Sequence, residues 1–184
     1  MSWIDQRPDD AMAGAFEAIG PAPLQTVDAL AFREAMCRLG AAVHVVTTDG
    51  PAGKVGFTAT AVCAISDNPA TLLMCLNRRT RLTAAFQGNG VFCINTLGAD
   101  QETVADAFAG RTTQPMDERF AVAQWTTLVT ASPALVSAVV VLDCRIIEVK
   151  TVATHNVFFA GVEAIRQGPS VPVLVYHDRA YKRV

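Results

Sequence analysis

The chain has 184 residues, 51% of them hydrophobic and 17% charged, with a net charge of −2 and a mean hydropathy of +0.30. No apolar run approaches the ~20 residues of a membrane span, and no basic block supports nucleic-acid binding. The length suits one domain with a sizeable core, and the apolar excess points to surface buried between subunits, to a large apolar pocket, or to both.

Residues 1–25 contain Pro8, Gly14, Gly20, Pro21 and Pro23 and read as a flexible arm ahead of a domain over 26–184. In "TVDALAFREAMCRLG", Ala29, Phe32, Met36 and Leu39 form one helical stripe. Thr26 or Asp28 caps its start and Gly40 its end. The period then changes to two. "AAVHVVTT" and "FTATAVCAIS" read as strands joined by the turn-rich "DGPAGKVG", hence a hairpin. "TLLMCLN" is a third strand. "RRTRLTAAFQGNG" is a loop and a short helix with Leu82, Ala85 and Phe86 inward. "VFCINTL" is a fourth strand. "ADQETVADAFAG" is a short helix capped by Asp100 and ended by Gly110, and "RTTQPMDERFAVAQW" reads as irregular. "ALVSAVVVLDCRIIEVKTV" is one bent strand or two, and "NVFFAGVEAIRQG" and "VPVLVYHD" complete the set. Short links between strands favour an antiparallel barrel with added helices over a βαβ sheet.

Gly50, Gly53 and Gly56 lack the spacing and strand-to-helix setting of a dinucleotide fingerprint and belong to the hairpin loop. His44, His155 and His177 have no paired metal-ligand spacing, so no metal site is expected. The five cysteines, with no Cys-x-x-Cys, fit a reduced cytoplasmic protein, and no signal peptide is evident.

Two stretches invite a ligand. "NRRTR" follows a strand and precedes a helix, and its arginines, its Thr80 hydroxyl and the helix amides suit a phosphate; a solvated basic loop is the alternative. Residues 56–66 have unusually small side chains, with Thr58, Thr60 and Ser66 on one face. They either let a flat ligand reach the main chain or pack tightly on a helix or another subunit. Together the two stretches fit a phosphorylated aromatic cofactor such as FMN. His155 stands just before an apolar strand, as a structural residue or facing a pocket. Tyr176, Arg179 and Tyr181 either close that pocket or cover the barrel.

The stretches "FREAMCRLGAAVHVVTTDGPAGKVGFTATAVCAISDNPATLLMCLNR", "FQGNGVFCINTL", "FAGRT", "ERF", "THNVFFAGVEAI" and "VLVYHDRAYK" occur in that order. Over residues 30–182 the chain resembles the short-chain flavin reductases, the reductase components of two-component flavin-dependent monooxygenases. It looks closest to those serving pyrimidine-utilisation and 4-hydroxyphenylacetate hydroxylase systems. The resemblance implies a mainly β, Greek-key, flavin-binding split β-barrel and a homodimer. It implies reduction of FMN or FAD by NADH or NADPH, with the reduced flavin passed to a separate oxygenase. It implies flavin contacts from Thr58, Ala59, Thr60, Ala61, Cys63 and Ser66, and a phosphate end at Asn77, Arg78 and Thr80, with Phe86 nearby and Tyr181 at the pocket. His155 would face the nicotinamide. Two positions depart from the pattern: Ala153 replaces the glycine before His155, and Lys182 stands where close relatives carry His. The rival readings are a flavin carrier or sensor without turnover and an oxidase of the pyridoxine-phosphate type on the same barrel.

Overall fold

The computed structural model describes residues 26–110 and 114–184. The arm expected over 1–25 and the Arg111-Thr112 pair of "FAGRT" lie outside the described residues. The chain divides into two units, Met1–Met36 and Cys37–Val184. In the first, α1 (Ala29–Met36) is capped by Asp28, whose carboxylate accepts from Leu30 N at 2.7 Å and Ala31 N at 3.1 Å. The helix ends at Met36, short of Gly40.

In the second unit a short β1 (Ala41–Ala42) leads into β2 (His44–Thr48), β3 (Val55–Ala59), β4 (Val62–Asp67) and β5 (Ala70–Asn77). Then come α2 (Leu82–Asn89), β6 (Val91–Thr96), α3 (Glu102–Phe108), α4 (Met116–Phe120), β7 (Trp125–Thr127) and β8 (Pro133–Leu135). The long β9 (Val140–Val152) and β10 (His155–Gln167) and the hairpin β11 (Leu174–His177) and β12 (Ala180–Arg183) finish the unit. The expected β2–β3 hairpin is present. Asp100 does not cap α3: Gln101 takes the N-cap position, and its side chain instead accepts from Gly98 N at 2.8 Å and donates to Ser137. The stretch expected to be irregular holds α4 and the start of β7, because Phe120 and Trp125 bury against Phe108.

The main correction concerns residues 56–66, which do not form one strand. The seven-stranded sheet has the order β3-β2-β6-β9-β10-β5-β4, so β3 and β4 are its opposite edges. Only Thr60 and Ala61 separate them. Three Cα steps span at most about 11 Å, so the two edges meet and the sheet curls into a split barrel. The break also shifts the pattern by one residue. Ala59 and Val62 both pack into the barrel core, three positions apart where alternation would demand an even spacing. The expectation that Thr58, Thr60 and Ser66 share one face therefore fails.

Alternation holds elsewhere. On β2, Val46 faces the barrel interior and Val45 a second core, which Val43 just before the strand also enters. On β6, Phe92 and Ile94 point inward and Cys93 outward. The interior is built on Phe86, whose ring lies 5.5 Å from Phe57, 6.2 Å from Phe158 and 6.4 Å from Phe92. Fully burying one such ring contributes about 1.5–3 kcal/mol. Outside the barrel, α3, α4 and β8 cover the second core, and buried Asn95 ties β8 down by accepting from Leu135 N at 2.7 Å and donating to Val45 O at 2.9 Å.

Candidate functional site

The meeting of the two sheet edges places the site. The β2–β3 register ends at Ala59 and the β4–β5 register begins at Val62, so Thr60 and Ala61 lie outside both. Ala61 O accepts from Cys75 N at 3.0 Å, which fixes the crossover beside β5. On its β3 side the crossover borders a cavity of about 210 Å³ lined by Val43, Thr58, Ala59, Thr60, Ala109 and the rings of Tyr176 and Tyr181. Helix α3 steadies two walls of this cavity. Thr58 Oγ1 donates to Ala105 O at 2.5 Å, and Tyr181 Oη donates to Asp106 Oδ1 at 3.0 Å. The two tyrosine rings pack edge-on at 5.6 Å.

On its other side the crossover leads along β5 to the basic loop. Cys75 and Asn77 are two residues apart, roughly 7 Å. Asn77 pairs directly with His155 across β5 and β10, and Arg78 N donates to Thr154 O at 3.1 Å. The loop is pre-shaped by its own polar groups. Asn77 Oδ1 accepts from Arg79 N at 3.0 Å, and Thr80 Oγ1 accepts from Leu82 N at 3.2 Å, at the start of α2. Arg78, Arg79 and Arg81 are exposed, as is His155, whose Nδ1 lies 2.9 Å from Thr154 Oγ1.

The sequence-predicted residues thus separate into groups. Thr58, Ala59, Thr60 and Tyr181 share the cavity, with Ala61 beside it. Asn77, Arg78, Thr80 and His155 share the loop end, so His155 lies with the phosphate-suited residues and not across the site from them. Cys63 is exposed on β4, paired with Leu73. Ser66 lies further along β4, opposite Thr71, where its Oγ accepts from Asn68 N at 3.2 Å. Phe86 is a correction: it is 0% exposed, and its ring belongs to the barrel interior, where no ligand on the outer surface can touch it. A larger cavity of about 500 Å³, lined among others by Asp49, Lys54, Asp117 and Trp125, sits at the far end of β3 and contains none of the predicted residues.

Sequence reading passed over Val43, Ala109 and Asp106, because their meeting depends on long-range packing and no local motif marks it. It also treated His44 only as a metal candidate. His44 pairs with Ala59 across β2 and β3, its Nδ1 lies 3.1 Å from Thr96 Oγ1, and burial lowers its pKa to about 4, so the ring is neutral at pH 7. Burial likewise raises the Cys75 thiol above its ordinary value, which keeps it protonated. Ala153, which opens the turn before His155, has φ of +49°, a left-handed conformation that favours glycine.

Known proteins of similar sequence and fold identify the family. The FMN reductase (NADH) RutF of Methylorubrum extorquens DM4 is 49% identical over 168 residues, covering 91% of this chain and 81% of that protein. The FMN reductase (NADH) RutF of Escherichia coli K12 is 49% identical over 158 residues, covering 86% and 95%. A crystal structure assigned as that of a flavin reductase from Haemophilus somnus superposes with a TM-score of 0.82 at 42% identity, covering 86% of this chain and 100% of that one. The flavin reductase like domain matches residues 36–184, and the chain belongs to that family.

Proposed function

We propose that this protein is an NADH:flavin oxidoreductase that reduces FMN and releases it to a separate oxygenase component. The relatives named FMN reductase (NADH) support the flavin and the reductant. The observation that carries the reading is the unbroken strip from the Tyr181 cavity, over Thr60-Ala61, to the Asn77–Thr80 loop. It offers a ring-sized recess, main chain with small side chains, and a cationic loop, in the order a phosphorylated flavin requires.

When bound, the flavin would supply hydride acceptance from a nicotinamide, chemistry the cofactors carry themselves. The chain's residues bind and orient. Arg78 and the Thr80 hydroxyl hold the phosphate. The Thr60 and Ala61 main chain would run beside the flavin, and Thr58 and Tyr181 would wall its ring end. His155, beside the loop, positions the reductant. Hydride transfer of this kind requires no obligatory general acid. The site opens to the surface, which lets the flavin leave.

The protein acts as a homodimer in the cytoplasm. Ile65, Ile147 and Ile165 are 49%, 66% and 60% exposed on β4, β9 and β10, an apolar cost that a partner subunit would remove. Cys63, Cys75, Cys93 and Cys144 are free thiols, as a reducing compartment would keep them. A tightly held flavin, as in a carrier or an oxidase, is the competing reading. NADH consumption with excess free FMN separates them, since only a reductase turns over steadily on added flavin.

A further inference from the structure

Helix α3 does more than cover the second core. Val104, Ala105, Ala107 and Phe108 are buried and fix it against the barrel, whereas Asp106 is exposed and reaches the Tyr181 hydroxyl at 3.0 Å. The adjacent residue, Ala105, takes the Thr58 hydroxyl through its carbonyl. One rigid helical turn therefore holds both walls of the cavity. The walls are not alike. Thr58 lies within β3, in ladder with β2. Tyr181 is carried by the terminal hairpin β11–β12, which joins β1 in a separate three-stranded sheet. The turn of that hairpin, Asp178-Arg179, has φ of +48° and +59°, both left-handed and both non-glycine. The tyrosine wall thus belongs to a different sheet from Thr58, and its hydroxyl is tied to α3 across 75 residues of sequence.

We propose that Asp106 is a positioning residue: it holds the Tyr181 ring as the movable wall of the Thr58–Thr60 cavity and so sets how firmly the site grips flavin. The assignment rests on the reductase reading above. A reductase that hands its flavin on needs a wall that closes during hydride transfer and opens afterwards. The hydrogen bond that the Tyr181 hydroxyl donates to the exposed Asp106 carboxylate suits that task.

The test is a double-mutant cycle on the full chain, using Asp106→Ala, Tyr181→Phe and the pair, with Asp106→Asn as the conservative variant. The FMN dissociation constant is read by fluorescence quenching, with melting temperature on the same samples. Each single variant should weaken FMN about threefold to tenfold, and the pair no more than the worse single. Asp106→Asn should recover most of the affinity, because its amide oxygen still accepts. Additive losses, or unchanged FMN affinity alongside a lowered melting temperature, would overturn the assignment. Wild-type protein that binds no FMN would overturn it together with the reductase reading, whereas wild type that binds and turns over while the cycle is additive would overturn this assignment alone.

Discussion

His155 and Asn77 face each other across strands β10 and β5, and Arg78 N reaches back to Thr154 O at 3.1 Å. The histidine and the basic loop are thus one local structure, built from the end of one strand and the beginning of another. Replacing His155 by Ala should raise KM for NADH about fivefold to tenfold, since misplacing a reactant affects its capture first. The melting temperature should hold, because the ring is exposed. Steady-state kinetics and thermal unfolding on one preparation check both. A raised KM for FMN with KM for NADH unchanged would reassign His155 to the phosphate.

Thr80→Asp should weaken FMN binding at least about tenfold, by placing a negative charge beside a phosphate. The fold should survive. Thr80 Oγ1 serves Leu82 N as an acceptor at 3.2 Å, and an aspartate oxygen can take over that role. Equal affinity in variant and wild type would show that the phosphate lies elsewhere.

His44 predicts a pH effect on stability. Burial lowers its pKa from 6.5 to about 4. The unfolded chain thus binds a proton between those values that the folded chain refuses. The stabilisation is fully present above pH 6.5 and is lost as pH falls from 6.5 toward 4, by at most about 3 kcal/mol. Urea midpoints of wild type and His44→Asn, measured at neutral pH and near pH 4.5, should converge as the pH falls. Parallel losses in the two proteins would refute it.

Ala153 holds φ of +49° in the turn between β9 and β10. A left-handed conformation costs a non-glycine residue about 1–2 kcal/mol, offset in part by the entropy glycine loses on folding. Ala153→Gly should therefore raise stability by about 0.5–1 kcal/mol, read as a higher denaturation midpoint. A lower midpoint would mean that the alanine methyl makes a contact worth more than the strain.

Much of this fold was legible in the sequence because alternation and turn chemistry are local. The β2–β3 hairpin, β5, β6 and the apolar face of α2 follow from periodicity alone. The small side chains at 56–66 mark the crossover between the two edges of the sheet. What periodicity could not reveal was that the stretch changes sheet edge at Thr60-Ala61, because a one-residue slip reverses every inward and outward assignment after it. Phe86 was misassigned for a related reason: an aromatic residue shortly after the phosphate-suited loop is adjacent to it in sequence, yet the helix turns its ring into the barrel. Asp106 gave no signal, since its partner is Tyr181 on a strand that forms only at the end of the chain.

On the proposed reading, the strip from Tyr181 to Thr80 serves a flavin that comes and goes. Its most direct test is NADH oxidation followed at 340 nm, with substoichiometric protein and increasing free FMN. The account predicts steady turnover over many equivalents, saturating with FMN and falling when Thr80→Asp replaces the wild type. Consumption that stops at about one NADH per protein, whatever the FMN concentration, would contradict it.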